Sequence, residues 1–400
     1  MKVALLKNIL PPYRIEFFRE LSHLCDLRVI CDAMTEPNRS WTVDPSTFGF
    51  DYVVMGESGK LFDHKRKDLG YTESRVRYSG RGFRKELERF QPDAIISAEF
   101  GMRTLAALRF ARGRIPVGIW SEGTRHTEKQ VKGPRLWVRK MLMRRASGLW
   151  TNGAASLRYL DDLGRGDRAV AVGITGISTH AYYAAAQEMQ ERRDEIRSAH
   201  GLTGTALVFV GALAGRKGVP QLMEALEKLD QSDVPESSVI LVGEGPLRDD
   251  LAALAGKLKR IRIILPGHQD QRGVQELLAA GDVFVMPTLD DNWPLVTLEA
   301  LVSGIPQIGS IFNGASEDLA AREGVGCFLD PTDREALTNQ LESVMRNPPP
   351  RVPEETVHWA RDYYSPQQQA QRAHALILEM VERTGARAGG AAGGNRDANQ

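Results

Sequence analysis

Two acidic residues, Asp291 and Glu299, stand eight positions apart in the stretch DDNWPLVTLEALVSG, residues 290–304. The strand-like run DVFVMPT precedes them, and Pro294 suits the first position of the helix that follows. Glu299 would lie on an otherwise apolar helix, where a carboxylate is costly unless it accepts hydrogen bonds. Ribose hydroxyls would supply such bonds, and Asp291 in the preceding loop would hold sugar hydroxyls. The alternative is that Asp291 or Asn292 caps the helix and that Glu299 lies on the surface.

Two cations, Arg216 and Lys217, stand between a strand and a helix in FVGALAGRKGVPQLMEAL, residues 209–226. Glycines such as Gly211 allow the backbone to approach a ligand closely. A helix N-terminus favours an anion by about 0.3–1 kcal/mol when exposed. Two cations at that position indicate a diphosphate site. The alternative is a solvated basic turn.

Two further strand ends carry glycines or a histidine. VGEGPLRDDL, residues 242–251, contains Gly243 and Gly245 but lacks the third glycine of a dinucleotide fingerprint, so it indicates a tight turn as readily as nucleotide contact. LPGHQDQ, residues 265–271, places His268 just past a strand, where backbone groups would contact a base edge. A histidine with a structural role is the alternative.

The elements that must position these residues alternate between strand and helix in both halves of the chain. KVALLKNI, PDAIISAEF and IPVGIW are strand-like in the first half, as are TALVFVGAL, SSVILVGEGP and DVFVMPT in the second. This alternation predicts an α/β fold with two tandem doubly wound, Rossmann-like domains. Ligands of such sheets bind at the carboxyl ends of the strands, so the site is expected in the cleft between the two domains.

The domain boundaries follow from composition. Polar, helix-like sequence joins the two halves, and a Gly/Ala-rich polar stretch ends the chain. The predicted segments are an N-terminal domain over 1–173, a linker with helix over 174–204, a C-terminal domain over 205–355, helices over 356–384 and a disordered tail over 385–400. That the helices over 356–384 pack back on the N-terminal domain is implied only by the family resemblance described below.

Composition is that of a globular protein, with 42% apolar and 26% charged residues in a chain of 400. No run of ~18 apolar residues predicts a membrane span, and the N-terminus lacks the features of a signal peptide. Three scattered cysteines form neither a disulfide framework nor a metal-binding pattern, which favours the reducing cytosol.

Charge is distributed unevenly. Residues 1–173 contain 31 Lys and Arg against 20 Asp and Glu, a net +11, whereas the whole chain carries +1. A basic half favours an anionic partner such as phospholipid headgroups, nucleic acid or a polyanionic substrate, and the alternative is attraction between the two halves. Nucleic acid is disfavoured because no basic groove pattern interleaved with aromatic residues is present.

One predicted helix concentrates this charge. The segment GPRLWVRKMLMRRASGLW, residues 133–150, places Trp137, Met141 and Leu142 among five cations, which are Arg135, Arg139, Lys140, Arg144 and Arg145. Such a helix would lie on an anionic membrane at the inner face. The alternative, a solvated basic face over an ordinary core stripe, has equal weight.

The second half resembles the retaining, GT-B-fold glycosyltransferases of family 4, the glycosyl transferases group 1. The residues that carry the resemblance are FVGALAGRKG, VGEGPL, LPGH, AAGDVFVMPT, the acid–seven–acid motif, SGIPQIGS and EGVGCFLDPTD, all within residues 205–335. The family's motif is usually Glu-x7-Glu, where this chain has Asp291 and Glu299. The family also often has a basic residue where this chain has Ala212.

The resemblance implies a donor-binding C-terminal domain. Lys217 would bind the diphosphate of a nucleotide sugar, Glu299 would hold the ribose, and Asp291 would lie near the donor sugar. Backbone amides around Leu295 and Val296 would support the phosphates. The nucleotide sugar is a co-substrate, so the resemblance implies no cofactor and no metal.

The resemblance also implies an acceptor-binding N-terminal domain. The family commonly has a histidine after the strand near residue 120, where this chain has SEGTRH. Glu122 is the best candidate to face the reacting sugar, and Glu99 is the second. Arg14 would meet an anionic acceptor. The alternative for Glu122 is a structural pair with Arg125.

The sequence therefore predicts a retaining, metal-independent glycosyltransferase that uses a nucleotide-diphosphate sugar and a glycan or lipid-linked acceptor. It would be cytoplasmic, with peripheral membrane contact as described for the basic helix. Glu122, Lys217 and Asp291 are the predicted catalytic residues. Two alternatives stay open: a nucleotide-sugar epimerase or phosphorylase-like enzyme of the same fold, and a non-catalytic nucleotide-sugar-binding protein.

Overall fold

The chain forms two compact units. The computed structural model describes residues 1–37, 44–56, 59–80, 82–174 and 176–393, with side chains in the last helix as far as residue 386. Unit 1 comprises Met1–His64, Ser74–Ile177 and Pro366–Gln400, and unit 2 comprises Lys65–Glu73 and Ser178–Ser365. Each unit contains a parallel sheet, as the strand–helix alternation predicts.

Within the described residues, seven strands form the sheet of unit 1 in the order β3-β2-β1-β6-β7-β8-β9, and β4 and β5 form a separate hairpin. The strands of the first half are β1 (Lys2–Lys7), β2 (Asp26–Cys31), β3 (Asp51–Val54), β4 (Lys60–Arg66), β5 (Tyr71–Arg77), β6 (Ala94–Ala98), β7 (Val117–Trp120), β8 (Gly148–Thr151) and β9 (Ala169–Val172). The helices between them are α1 (Ile15–Ser22), α2 (Phe83–Phe90), α3 (Met102–Ala111), α4 (Gly133–Arg145) and α5 (Ala154–Asp162). Central strands such as β6 are buried along their whole length, which explains why they are continuous apolar runs.

The sheet of unit 2 has, within the described residues, six strands in the order β12-β11-β10-β13-β14-β15. These are β10 (Thr205–Val210), β11 (Ser237–Val242), β12 (Ile261–Gly267), β13 (Val283–Met286), β14 (Gln307–Ser310) and β15 (Gly326–Leu329). The helices of this unit are α6 (Thr179–Glu191), α7 (Arg193–Ala199), α8 (Val219–Asp230), α9 (Arg248–Ala255), α10 (Gln271–Ala280), α11 (Leu295–Val302), α12 (Ser316–Leu319), α13 (Arg334–Arg346) and α14 (Glu354–Tyr363).

The expected linker over 174–204 is not a separate segment. α6 and α7 lie within it and belong to unit 2, where α6 packs on α10, α11 and α14. Tyr182, Ala186 and Met189 are buried on one face of α6. Their spacing of four and three residues is that of an amphipathic helix, so this segment contributes to the core of unit 2.

The last helix, α15 (Pro366–Gly393), returns to unit 1 and packs on α1 and β9. Gly118 in β7 and Gly148 in β8 make room for it, because a Cβ at either position would lie 3.0 Å or less from atoms of Met380. α14 packs instead on α6 and α11, so the return to unit 1 begins at Pro366 rather than at residue 356.

The expected disordered tail is helical over its first part. α15 continues through residues 385–393, where alanine and arginine, both good helix formers, alternate with glycine. Residues 394–400 of the expected tail lie outside the described residues. Across the described chain, no helix has the length and apolar character that spanning a membrane requires.

Candidate functional site

The candidate donor site of unit 2 lies where the strand order reverses. β10 has β11 on one side and β13 on the other, so the loops after β10 and β13 leave the same edge next to each other. Gly218, at the start of α8, has a φ of +74°, and a Cβ there would lie 1.7 Å from the carbonyl oxygen of Pro287. Glycine at this position therefore brings the start of α8 against the end of β13, beside Asp291.

Asp291 accepts charge-assisted hydrogen bonds from both predicted diphosphate-binding cations. Its Oδ2 lies 2.6 Å from Lys217 Nζ and 3.2 Å from Arg216 Nη1. Burial opposes ionisation of Asp291, but the charges of Lys217 and Arg216 outweigh it and hold its pKa below the usual value. Burial, assisted by Arg216 and opposed by Asp291, lowers the pKa of Lys217. The sequence predicted that these three residues meet, but not that the acid neutralises the cations.

Arg216 is shared among several acceptors. Besides Asp291, it donates to the backbone carbonyl of Asp290 at 2.8 Å, and its Nε lies 3.1 Å from Glu73 Oε2. A guanidinium fixed by three oxygens keeps its position, so Arg216 orders the loop around Asp291. This structural contribution adds to the predicted contact with phosphate.

The tip of the β4–β5 hairpin, Lys65–Glu73, belongs to unit 2 and packs behind this loop. Arg66 is fully buried and forms an ion pair with Asp290 and a bidentate pair with Asp68. Tyr71 donates its hydroxyl to the same oxygen of Asp290, at 2.5 Å. The acid that precedes Asp291 is thus held by two buried partners from a distant part of the sequence.

Glu299 is partly buried in the second turn of α11, as predicted, and forms a hydrogen bond with Tyr182 of α6. Burial raises the pKa of Glu299 to about 7, and the bond to Tyr182 only partly offsets this. Near neutral pH, a carboxyl with this pKa both accepts and donates hydrogen bonds, as ribose hydroxyls require.

The start of α11 lies next to Asp291. Pro294 is the N-cap rather than the first helical residue, so the helix begins one residue later than predicted and Leu295 and Val296 are its first residues. First-turn amides of a helix have no partner within the helix and favour an anion. The predicted phosphate contacts of these two amides are compatible with this placement.

Gly211, Gly243 and Gly245 pack against each other rather than around an open loop. The amide of Gly211 donates to Val242 O at 2.9 Å, and a Cβ at Gly243 would lie 2.0 Å from Gly211 O. A Cβ at Gly245 would lie 2.4 Å from Leu213 O. Close backbone packing therefore accounts for Gly243 and Gly245 without a ligand, which favours the tight-turn interpretation.

His268 and Ala212 are exposed loop residues. His268 directly follows β12, the edge strand of the sheet, and Ala212 follows the end of β10. Within the described ranges, neither side chain has a partner that would fix a role in the site, so base contact by the loop at His268 stays a prediction. Among the described residues, no group of three or more His, Cys, Asp or Glu is arranged to hold a metal ion.

Unit 1 has a second charged cluster at its own strand-order reversal, between β1 and β6. Glu122, just past β7, pairs with Arg14 at 2.5 Å and with Lys7 at 3.9 Å. The amide of Glu122 lies 3.4 Å from Glu99 Oε1. Lys7 and Arg14 both lie over the ring of Trp120, with Lys7 Nζ 3.8 Å from its centroid. The three predicted acceptor residues are therefore together, and Lys7 joins them.

The pKa values of the two acids in this cluster, Glu99 and Glu122, shift in opposite directions. Burial and the charge of Glu122 raise the pKa of Glu99 to about 7, whereas the charges of Arg14 and Lys7 overcome burial and lower the pKa of Glu122. Burial and Arg14 lower the pKa of Lys7 to about 7. Glu99 also has a φ of +63°, a strained conformation for a residue other than glycine. Such strain concentrates at functional sites.

Glu122 and Arg125 are not a structural pair, contrary to the alternative raised from the sequence. Arg125 forms a bidentate pair with Asp162 at 2.7 Å on the surface. The carbonyl of Glu122 accepts from Ser156 at 3.0 Å, which directs its side chain toward Arg14 instead.

Arg14, Glu99 and Glu122 line a cavity of about 400 Å³ in unit 1. Its wall includes the predicted residues and others that the sequence did not single out, namely Lys7, Asn8, Asp32, Glu36, Tyr78 and Arg103. Lys7 and Asp32 end or follow predicted strands, so the strand-end rule was a signal for them. No such signal exists for Arg66, Tyr71 or Tyr182, whose partners in unit 2 are distant in sequence.

The basic helix α4 is partly built into unit 1. Leu142 and Met143 are in the core, and Arg139 pairs with Glu128 at 2.9 Å and with the Tyr159 hydroxyl at 2.6 Å. Trp137 is 65% exposed, and Arg135, Arg144 and Arg145 are exposed as well. The helix thus combines a core stripe with an exposed basic face that includes a tryptophan.

Part of this chain, within unit 2, matches a known protein family. Residues 192–361 match the family model described as "Glycosyl transferases group 1". Sulfoquinovosyl transferase SQD2 of Arabidopsis thaliana is 26% identical over 279 residues, which cover 66% of this chain and 51% of that protein. The lipopolysaccharide glucosyltransferase WaaG of Escherichia coli K12 is 28% identical over 183 residues, 45% of this chain and 47% of that protein. The chain thus spans about half the length of these two relatives.

Solved structures match over nearly the whole chain. A structure of WaaG covers 94% of this chain and 99% of its own, with a TM-score of 0.61 and 19% identity. Anabaena HepE in complex with UDP covers 98% of this chain and 100% of its own, with a TM-score of 0.63 and 16% identity. The fold is therefore GT-B, as the sequence predicts.

Proposed function

We propose that this chain, with its GT-B fold, is a glycosyltransferase that moves a sugar from a nucleotide-diphosphate donor to a hydroxyl group. The observation that carries the proposal is the convergence of Lys217, Arg216 and Asp291 beside the starts of α8 and α11. Two cations and two helix N-termini at one sheet edge suit a diphosphate. The match of residues 192–361 and the UDP bound to HepE support this assignment.

In the proposed reaction, the bond between the sugar and the diphosphate breaks, and negative charge develops on the departing diphosphate. Lys217, Arg216 and the first amides of α11 stabilise this charge electrostatically. Phosphate oxygens compete with Asp291 for Lys217, which frees Asp291 to accept hydrogen bonds from the donor sugar. Glu299 holds the ribose. The acceptor hydroxyl forms its new bond on the face of the sugar's anomeric carbon that the diphosphate leaves, so the configuration is retained. The leaving diphosphate takes the proton of that hydroxyl, and Lys217, Arg216 and the amides of α11 balance its charge without a metal.

We place the acceptor in the cavity of unit 1, at Arg14, Glu99 and Glu122. Glu122 is fixed as an ionised partner of Arg14 and cannot take a proton readily. Glu99, with a pKa raised to about 7, orients the acceptor hydroxyl through a hydrogen bond, and the proton of that hydroxyl passes to the leaving diphosphate. The role of Glu122 is to hold Arg14 and Lys7 in place around the acceptor.

A lipid-linked or cell-surface glycan precursor is the proposed acceptor class, at the inner face of the membrane. Names among the relatives support this, since WaaG is a lipopolysaccharide glucosyltransferase. The exposed face of α4, with Trp137 at 65% exposure and Arg135, Arg144 and Arg145, suits an anionic lipid surface.

One observation favours a second candidate, a nucleotide-sugar-binding protein without catalysis. Asp291 neutralises both cations, and the exposed Ala212 adds no charge where the family often has a basic residue. A donor would then bind weakly and without turnover.

The deciding experiment is a panel of nucleotide sugars with the full chain. Thermal shift identifies the donor, and release of nucleoside diphosphate, with and without glycan acceptors, measures transfer or hydrolysis. The proposal expects turnover with at least one donor. Donor binding without turnover over a broad acceptor panel would instead establish the binding protein, and interconversion of donor sugars without diphosphate release would point to an epimerase.

A further inference from the structure

We propose that the cavity of unit 1 selects an uncharged, polyhydroxylated glycosyl group, and that its far side is a specificity-determining subsite. This side, here called the distal wall, consists of Asn8, Asp32, Glu36, Tyr78 and Arg103. Asn8, Asp32 and Glu36 follow β1 and β2, whereas Glu99 and Glu122 follow β6 and β7 farther along the sheet. The inference rests on the proposed function only in taking this glycosyl group to be the acceptor. The binding of the group itself is independent of transfer.

The first argument is charge balance. Among the described residues, the cavity is lined by four cations and four acids, which are Lys7, Arg14, Arg77, Arg103, Asp32, Glu36, Glu99 and Glu122. Arg103 forms an ion pair with the fully buried Asp32, and Arg14 pairs with Glu122. An anionic ligand would therefore meet cations that carboxylates already neutralise, and it would be repelled by those carboxylates.

A second cavity of unit 1 provides the contrast. It has a volume of about 610 Å³, and apolar residues such as Val117 contribute to its lining. Its described lining has four arginines and no acidic residue: Arg112, Arg144, Arg145 and Arg168. A site for anions has this composition. By contrast, the described lining of the cavity at the distal wall has equal numbers of acidic and cationic residues. Such a lining suits hydroxyl groups, which both donate and accept hydrogen bonds.

The second argument is the presence of buried donors that lack a partner. Arg14 Nε, Arg103 Nε and the Tyr78 hydroxyl are buried and have no hydrogen-bond partner within the described part of the chain. Leaving such groups unsatisfied is unfavourable, so a ligand with oxygen acceptors is favoured. Asn8 and Glu36, joined by a hydrogen bond of 3.0 Å, supply acceptors on the same wall.

Together these features match the hydrogen-bonding character of a sugar. Each hydroxyl of a sugar both donates and accepts, so a carboxylate and a neighbouring guanidinium bind it from two sides. The cavity of about 400 Å³ is within the usual range of ligand sites and extends well beyond the cluster at Glu99 and Glu122. The distal wall therefore contacts a part of the glycosyl group away from the reacting hydroxyl.

The test measures sugar binding to the full chain without donor and with UDP, by saturation-transfer NMR and calorimetry. The neutral probes are methyl α-glucoside, methyl α-galactoside, maltose and lactose, and the anionic probes are glucuronic acid and glucose 1-phosphate. We expect at least one neutral probe to bind at least tenfold more tightly than either anionic probe.

The variants locate the binding. Tyr78→Phe removes one oxygen atom and should weaken the binding of the neutral probe about fivefold, the scale of one hydrogen bond. Arg103→Met should weaken it at least tenfold, with Arg109→Met on the exposed face of the same helix as its control. Tyr52→Phe, in β3 and outside the cavity lining, controls for Tyr78 and should leave binding unchanged.

The outcomes separate this inference from the proposed function. Neutral binding that depends on Tyr78, without transfer from any donor, would support the subsite and contradict the glycosyltransferase proposal. Transfer to anionic acceptors in preference to neutral ones would do the reverse. Tighter binding of an anionic probe, wild-type affinity in both distal-wall variants, or no saturable sugar binding with or without UDP would overturn the inference.

Discussion

At the scale of single residues, the candidate donor site depends on how charges are shared. Lys217 and Arg216 were candidates from the sequence because two cations between a strand end and a helix suit a phosphate, with a solvated basic turn as the alternative. Their pairing with Asp291 could not be predicted, because it depends on the packing of Gly218 against Pro287, which brings two loops together. Likewise, Gly243 and Gly245 resembled a ligand loop in the sequence but are explained by backbone packing.

Lys217→Ala should reduce turnover at least ~100-fold, the scale of losing one group that stabilises developing charge. The matched control is Lys228→Ala, an exposed lysine near the end of α8, which should retain wild-type turnover. Initial rates at saturating nucleotide sugar provide the measurement. Equal rates for the two variants would remove Lys217 from the site.

Glu299→Gln should change how stability depends on pH. The pKa of Glu299 is raised from 4.5 to about 7 in the folded state, so the unfolding free energy contributed by this group falls as pH rises from about 4.5 to 7, by on the order of 3 kcal/mol. Glutamine cannot ionise, so the variant should gain stability relative to wild type between pH 5 and pH 8. Urea unfolding at both pH values measures the difference, and a pH-independent offset would contradict the buried carboxyl.

At the scale of elements, the contacts of the β4–β5 hairpin could not be predicted from the sequence. Strands buried on both faces, such as β1 and β10, are apolar runs and are readily predicted. The hairpin strands are mostly polar and charged, and nothing local indicates that Arg66 is buried against Asp290, 224 positions away. A helix was expected within residues 174–204, but its place in the core of unit 2 was not, because the partners of its buried face lie on helices distant in sequence.

Tyr71→Phe and Arg66→Met should destabilise unit 2 by different amounts. Loss of the Tyr71 hydroxyl removes one hydrogen bond to Asp290 and should cost about 1–3 kcal/mol. Loss of Arg66 leaves a buried carboxylate without its cation and should cost about 3–5 kcal/mol. Chemical unfolding measures both, and Lys67→Met, an exposed cation at the same hairpin tip, is the control. A cost for Lys67→Met equal to that for Arg66→Met would refute the buried contact.

At the scale of the whole molecule, charge asymmetry was visible from the sequence, but its location on a surface was not. The +11 of residues 1–173 includes Arg103 and Arg139, which are consumed by internal pairs, whereas Trp137 and Arg135 remain exposed on α4. Paired cations such as Arg103 and Arg139 are not available to a membrane, so composition alone overstates the basic surface.

Flotation with vesicles containing anionic phospholipid should recover the protein at low salt and lose it as salt increases, because exposed charges are screened. Trp137→Ala should reduce recovery severalfold, since an interfacial tryptophan contributes directly to binding. Leu378→Ala, which removes an exposed apolar side chain on α15, is the control and should bind as wild type. Equal recovery on neutral vesicles would exclude the electrostatic contact.

The return of α15 to unit 1 has a consequence for biosynthesis. Side chains of α15, among them Leu376, Ile377 and Met380, belong to the same hydrophobic cluster as Phe17 and Trp120 near the other end of the chain. These partners are hundreds of residues apart in the chain, so the ribosome synthesises α15 long after Phe17 and Trp120. Until translation is nearly complete, the apolar surface that α15 covers in the folded protein stays exposed. Nascent chains halted before residue 366 should therefore be sensitive to protease and retained by chaperones, even though all strands of that sheet have already been made.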